Sequence, residues 1–243
     1  MLSCSNKTLF QVGVLCGFLD KVYEGDHTLA QIMAKGNMGI GTFDFVHGEL
    51  IGLDGQFYRI IEDGIARPVD PQQKSPFAWV VDFEETHQFT LEGINSFEHF
   101  SEAFDRQVPS PNYIYAYRFE CLMDKLECRT ESCQPKPFQP LVETMPSVQV
   151  NFSYRKVKGK VAGFYFPSYM ATMNIPGHHM HFLDSTHRQG GHVFDCVFKK
   201  ALISVCCIKN YTVALVESET FEKLSPHAQN LEQATHLIEK QRK

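Results

Sequence analysis

Apolar residues recur along this chain with two different periods, and the change from one to the other outlines its elements. Phe10, Val14, Phe18 and Val22 stand four apart, which predicts a core-facing helix over 9–19. A second short helix is predicted over 26–35. Thr28 and Gln31 have capping-box spacing, Leu29, Ile32 and Met33 supply the apolar face, and Gly36 ends it. The period then shortens. Strand-like runs at 39–45, 49–53, 56–61 and 65–69 are separated by Asp54-Gly55 and Asp63-Gly64, the dipeptides of tight hairpins, so this region reads as a meander. Pro76 opens a further strand over 77–83. Ser96 then caps a helix through Arg106, with Phe97, Phe100 and Phe104 on one face.

Residues 113–121 alternate as a strand, and the shared side of Tyr113, Tyr115, Tyr117 and Phe119 reads as core rather than as a ligand cage. Pro135, Pro137, Pro140 and Pro146 punctuate a stretch unsuited to regular helix or central strand, which makes it the linker candidate. Beyond it, 148–152, 160–166, 201–209 and 211–216 are strand-like. Ser225-Pro226 opens a terminal helix with Leu231, Thr235 and Ile238 on one side. The expected fold is α/β of the α+β kind, sheet-rich, with mixed and antiparallel strands. Two domains are expected, 1–130 and 131–243, the second holding the terminal helix.

Composition narrows the function. A chain of 243 residues with 43% hydrophobic positions and twenty phenylalanines can bury a large core. The net charge of −5 and the absence of a Lys/Arg run argue against a nucleic-acid partner. The eight cysteines show neither a regular framework nor a Cys-x-x-Cys pair, and read as reduced, mostly buried thiols of a cytoplasmic protein. Residues 9–19 lack the basic cluster and small-residue cleavage site of a signal peptide, and no membrane partner is expected.

The chemistry is concentrated in one predicted hairpin. His179 and His181 are two apart and share a strand face, while Gly190-Gly191 allows a return that brings His192 opposite them. Three neutral imidazoles suit zinc or a neighbouring divalent metal and leave positions open for water or substrate, as catalytic sites do. The plainer alternative is an exposed polar hairpin. His178 points to the other face and His187 falls in the turn. Asp184 could orient a ligand histidine through its second nitrogen, a task that a backbone carbonyl would serve as well. Trp79, the only tryptophan, lies in an apolar run and reads as core. Thr42 and Asn174 could face the pocket or serve turns.

A set of ordered blocks resembles the α-acetolactate decarboxylase family over nearly the whole chain. The blocks are Gly41-Thr42-Phe43-Asp44, Gly48-Glu49-Leu50-Ile51, Leu53-Asp54-Gly55, Ser75-Pro76-Phe77-Ala78, Pro176-Gly177-x-His179-x-His181-Phe182 and Arg188-x-Gly190-Gly191-His192-Val193. The resemblance implies a Zn2+ ion on His179, His181 and His192, with Glu49 beside it. It also implies an active-site arginine, matched by Arg129 in Cys128-Arg129-Thr130, and a last glutamate from the C-terminal segment. Glu239 is assigned that role, with Glu232 as its rival. His47 stands where the family typically has Asp, and His178 and His187 replace commoner residues.

The implied reaction converts (S)-2-acetolactate, a 2-hydroxy-3-oxo acid, to (R)-acetoin and carbon dioxide, in a homodimer by family analogy. Loss of carbon dioxide leaves electrons that the adjacent ketone absorbs as an enediolate, so a Lewis-acidic metal can replace an organic electron sink. Arg129 would hold the substrate carboxylate in a fork of donors, and Glu49 or Glu239 would manage protons. Two other readings stay open from the residues alone: a cupin-like metal dioxygenase or isomerase, disfavoured because Asp184 stands where a glutamate is expected, and a metal-dependent binding protein without turnover.

Overall fold

Gly13 divides the first segment into a strand and a short helix. The computed structural model, which describes residues 4–224, opens with β1 (Ser5–Val12), and only α1 (Leu15–Leu19) is helical where a helix over 9–19 is expected. Gly13 has φ +72°, and a Cβ there would lie 2.1 Å from the Pro76 carbonyl oxygen. Only glycine allows that turn at that distance. The strand is obscured in the sequence because Gln11, on the buried face with Leu9, is polar.

β2 (His27–Thr28) leads into α2 (Leu29–Met33), where the predicted capping box forms: Gln31 N–H donates to Thr28 Oγ1 and Thr28 N–H donates to Gln31 Oε1. The meander follows as β3 (Met38–Thr42), β4 (Glu49–Leu53), β5 (Gln56–Ile60) and β6 (Ala66–Pro68), each antiparallel to the next. β7 (Lys74–Ser75) pairs with β2, and β8 (Ala78–Val81) inserts between β1 and β3. β9 (His87–Ile94) is absent from the elements read off the sequence, although its exposed Gln88, Thr90 and Glu92 alternate with Phe89 and Leu91 in strand fashion. α3 (Phe97–Asp105) begins at Ser96, whose hydroxyl accepts from His99 N–H at 3.0 Å, and buries Phe100 and Phe104. Such a cap contributes about 1 kcal/mol.

β10 (Ile114–Glu131) precedes α4 (Leu141–Val148), then β11 (Gln149–Phe166), β12 (Gly177–Asp184), β13 (Gly190–Ala214) and α5 (Glu219–Glu222). Three of these strands, β10, β11 and β13, are longer than any segment predicted from the pattern. The segments 148–152 and 160–166 are both parts of β11, and 201–209 and 211–216 are parts of β13. α4 corrects the expectation that the proline-rich stretch is unsuited to regular helix. Pro140 stands at its N-cap, and Pro146 removes one intrahelical donor, while buried Leu141, Met145 and Val148 fasten the helix to the core. The expected helix after Ser225-Pro226 lies outside the described residues.

Eleven strands form one mixed sheet in the order β10-β11-β12-β13-β1-β8-β3-β4-β5-β6, with β9 beside β13. β1 runs parallel to β13, and the other pairs described above are antiparallel. β10 bonds to β13 as well as to β11, so β10, β11, β12 and β13 close on themselves. Strands from both sides of the expected 130/131 division belong to this sheet, and β10 ends at Glu131. Tyr115, Tyr117 and Phe119 are buried, as the stripe predicts. The cysteines need a correction. Cys4 and Cys207 are joined in a disulfide, tying the residue just before β1 to β13, while the other six remain thiols. Among the described residues no helix is long and apolar enough to cross a membrane.

Candidate active site

β12 and β13 form the predicted hairpin, with His181 paired directly across from His192. His179 lies two residues before His181 on the same strand, so its side chain leaves on the same face. The nitrogens converge: His179 Nε2 stands 3.3 Å from His181 Nε2 and 3.1 Å from His192 Nδ1. All three side chains are buried, and their ligand atoms lie within 4.8 Å of one another.

The glycine pair does not make the turn. Gly190 and Gly191 already belong to β13, and the reversal is made by the preceding loop, where His187 has φ +54°. Asp184 folds that loop. Its Oδ1 accepts from Arg188 and Gln189 N–H, and its Oδ2 accepts from Thr186. It does not orient a histidine. Gly191 instead permits close packing, because a Cβ there would lie 2.7 Å from the Arg129 carbonyl oxygen. That approach lets β10 lie against β13 with Arg129 opposite His192.

A carbonyl from another strand sets the tautomer of His181. Its Nδ1 donates to Leu50 O at 2.7 Å on β4, so Nε2 carries the lone pair that faces the other imidazoles. The same strand supplies Glu49, whose Oε2 lies 3.2 Å from His181 Nε2. Arg129 and Glu131, two apart on β10, are both buried, with Arg129 Nε 3.6 Å from Glu131 Oε1. Glu131 is absent from the sequence reading, although Arg-x-Glu on a strand places both on one face. Glu239 and Glu232 lie outside the described residues.

These groups line a cleft with ≈ 580 Å³ of empty space. His179, His192, Glu49, Arg129 and Glu131 supply polar lining. α1 and α4 supply apolar lining with Leu15, Phe18, Leu141 and Met145. Thr42 also faces the cleft, its hydroxyl donating to Gly48 O at 2.8 Å. Asn174 is buried away from it, bonded to Trp79. His178 turns from the hairpin to the opposite side, where its ring nitrogens meet Asp105 and the Tyr117 hydroxyl.

Burial is the main reason that all three imidazoles stay neutral. It pushes His181 down to about 3, against the opposing pull of the Leu50 carbonyl, and holds His179 and His192 well below the usual histidine value. The Arg129 charge acts in the same downward direction on each. Neutral imidazoles are metal ligands as they stand. Nitrogens around an ion at about 2.0–2.1 Å in tetrahedral geometry are separated by about 3.4 Å, so two of the three spacings, 3.1 and 3.3 Å, match such a set, with all three ligand atoms within 4.8 Å.

A pH test follows. Each of these imidazoles is neutral when folded and protonated when unfolded below about pH 6.5. The unfolded chain then binds more protons, so this stability is present above that pH and is lost as pH falls toward the folded values. The metal-free chain should lose about 1.4 kcal/mol per pH unit for each imidazole below about pH 6. Zinc affinity of the folded chain should stay nearly flat between pH 7 and pH 5, because no proton must leave the ligands. Denaturant melts and chelator competition at several pH values check both. A tenfold or larger affinity loss per pH unit would mean that the folded imidazoles titrate normally.

Comparison with known proteins agrees with this geometry. The family model described as alpha-acetolactate decarboxylase matches residues 9–226. An alpha-acetolactate decarboxylase of Methylococcus capsulatus is 36% identical over 231 residues, covering 95% of this chain and 88% of that protein. One from Bacillus subtilis is 35% identical, covering 88% of this chain and 83% of its own length. The crystal structure of alpha-acetolactate decarboxylase from Bacillus subtilis strain 168 superposes with a TM-score of 0.92 at 33% identity, covering 96% of this chain and 99% of that one. This chain therefore belongs to the alpha-acetolactate decarboxylase family, and is an enzyme of the carboxy-lyase class.

Proposed function

We propose that this enzyme is zinc-dependent and converts (S)-2-acetolactate to (R)-acetoin and carbon dioxide, with His179, His181 and His192 as the metal ligands. The observation that carries the reading is the convergence of three neutral imidazoles beside Glu49 and Arg129 in one cleft. Zinc held by neutral ligands keeps its charge and, when bound, supplies Lewis acidity to the substrate oxygens.

The protein's own groups do the rest. Arg129 binds the substrate carboxylate and aims the bond to be broken, because a planar guanidinium fixes a carboxylate by two parallel donors. Glu131 neutralises Arg129 in a buried setting where either charge alone would be costly. Glu49, whose carboxylate lies beside His181, takes the hydroxyl proton and returns a proton to carbon from one face. The apolar wall from α1 and α4 limits water at the site, which strengthens these charge interactions. Glu239 completes the proposed set from the C-terminal segment.

Acetoin formation from racemic acetolactate, before and after chelation and with zinc restored, tests the proposal. Chelation should abolish turnover, and zinc should restore a single acetoin enantiomer. Full turnover in a verified metal-free chain would remove the metal requirement. No acetoin from a folded, zinc-loaded chain would remove the substrate assignment.

A further inference from the structure

We propose that Gln11, Asn174 and Tyr211 are positioning residues for the metal centre, closing a hydrogen-bonded ring that holds the Trp79 indole edge-on against His179. This inference rests on the triad being a metal site. Trp79 Nε1 donates to Gln11 Oε1 at 2.7 Å and to Asn174 Oδ1 at 2.5 Å. The Tyr211 hydroxyl donates to Gln11 Oε1 at 2.5 Å and accepts from Asn174 Nδ2 at 2.9 Å, which closes the ring. Gln11 Nε2 donates outward to Gly13 O and Met173 O at 2.8 and 2.9 Å. Because those partners are carbonyls, the amide can face only one way, with its oxygen toward the indole.

The ring draws on β1, β8, β13 and the segment just before β12. One acceptor would satisfy an indole N–H, yet two buried amides converge on this one and a phenol links them. A fully bonded polar network in the core defines a single geometry, whereas a partly bonded one is costly. What the ring defines is the place of the indole. The Trp79 ring lies 5.2 Å from His179, centroid to centroid, at an interplanar angle of 79°. Asn174 also pins the chain five residues before His179. An imidazole whose orientation is set before metal arrives binds it more tightly, and the loss of such supporting partners typically costs 10–100-fold in metal affinity.

Trp79 is the only tryptophan, so all tryptophan emission arises at this one site, where the indole meets the ring and His179. The test is a zinc titration of the purified full chain, followed by Trp79 emission and by competition with a chromophoric chelator. Wild type is compared with Tyr211→Phe, which removes the ring's hydroxyl and keeps the aromatic body. Zinc should change the emission of wild type, and Tyr211→Phe should shift the emission of the metal-free chain and weaken zinc binding about tenfold. Equal affinities in the two folded proteins overturn the proposal, even if Tyr211→Phe lowers the denaturation midpoint, since a ring that only stabilises the core would leave affinity unmoved. Should Tyr211→Phe fail to fold, Trp79→Phe carries the same test, deleting the shared N–H while keeping a ring beside His179. Unchanged affinity there overturns the proposal too. A wild-type chain that turns over acetolactate without binding zinc sinks this inference together with the metal reading. One that binds zinc and makes no acetoin sinks the activity alone, and the affinity ratio still decides the ring.

Discussion

Replacing His181 with alanine is expected to release the metal and abolish turnover while leaving the chain folded. If the roughly 10–16 kcal/mol typical of a four-ligand zinc site is divided among its ligands, each contributes about 3 kcal/mol, a loss of roughly a hundredfold in zinc affinity. The Lewis acidity that goes with the ion contributes several kcal/mol to the transition state, so turnover should fall by at least about a thousandfold. The fold should persist. His181 is a single buried side chain in a hairpin secured by neighbouring strands, and its removal leaves the Leu50 carbonyl without one donor, a cost of about 1–3 kcal/mol. Metal content by mass spectrometry, circular dichroism and acetoin assay together decide the matter. Full activity in a zinc-replete His181→Ala chain would end its assignment as a ligand.

Arg129→Lys is expected to cut kcat/KM by about 10–100-fold with metal content unchanged. The estimate follows from exchanging a charged, forked donor pair, which contributes about 1.5–3 kcal/mol, for a point charge. Lysine is the informative substitution because it keeps a cation near Glu131. Alanine would strand a buried carboxylate and cost about 3–5 kcal/mol of stability, mixing folding with catalysis. Loss of zinc from Arg129→Lys would instead mean that Arg129 maintains the triad, to which β10 brings it directly opposite His192.

The two substitutions probe residues that were visible in the sequence for different reasons. His179, His181 and His192 are legible because strand alternation and antiparallel return are local rules. Two residues apart on β12 and a direct cross-strand pair on β13 satisfy both. Arg129 and Glu49 carry no such local signature, and only the resemblance of their flanking blocks to a family singled them out. Glu131 had a weak one, the spacing of two from Arg129, but a lone Arg-x-Glu pair is common on solvated strands.

Where the local rules misled, a distant part of the chain was the cause. The helix expected over 9–19 became a strand up to Val12 because β8 and β13 flank that segment and pair with it. The proline-rich stretch holds α4 because Leu141 and Met145 reach the same apolar wall as α1, so packing outweighs a proline near the helix end. Gly191 looked like a turn residue and proved to be a packing one, since its neighbour is the Arg129 backbone, 62 positions away in sequence.

By itself, then, the sequence determined the meander with its hairpin turns, the cap of α3, the sheet-rich class and the convergence of three histidines, all of which depend on residues within one turn or one hairpin. Tertiary structure alone decided which face of the triad meets Glu49, which carbonyl orients His181, that Glu131 accompanies Arg129, and that Gln11, Asn174 and Tyr211 enclose the N–H of Trp79. Those contacts join strands remote in sequence, and a pattern of apolar and polar positions encodes which face a residue takes but not which distant strand will lie against it.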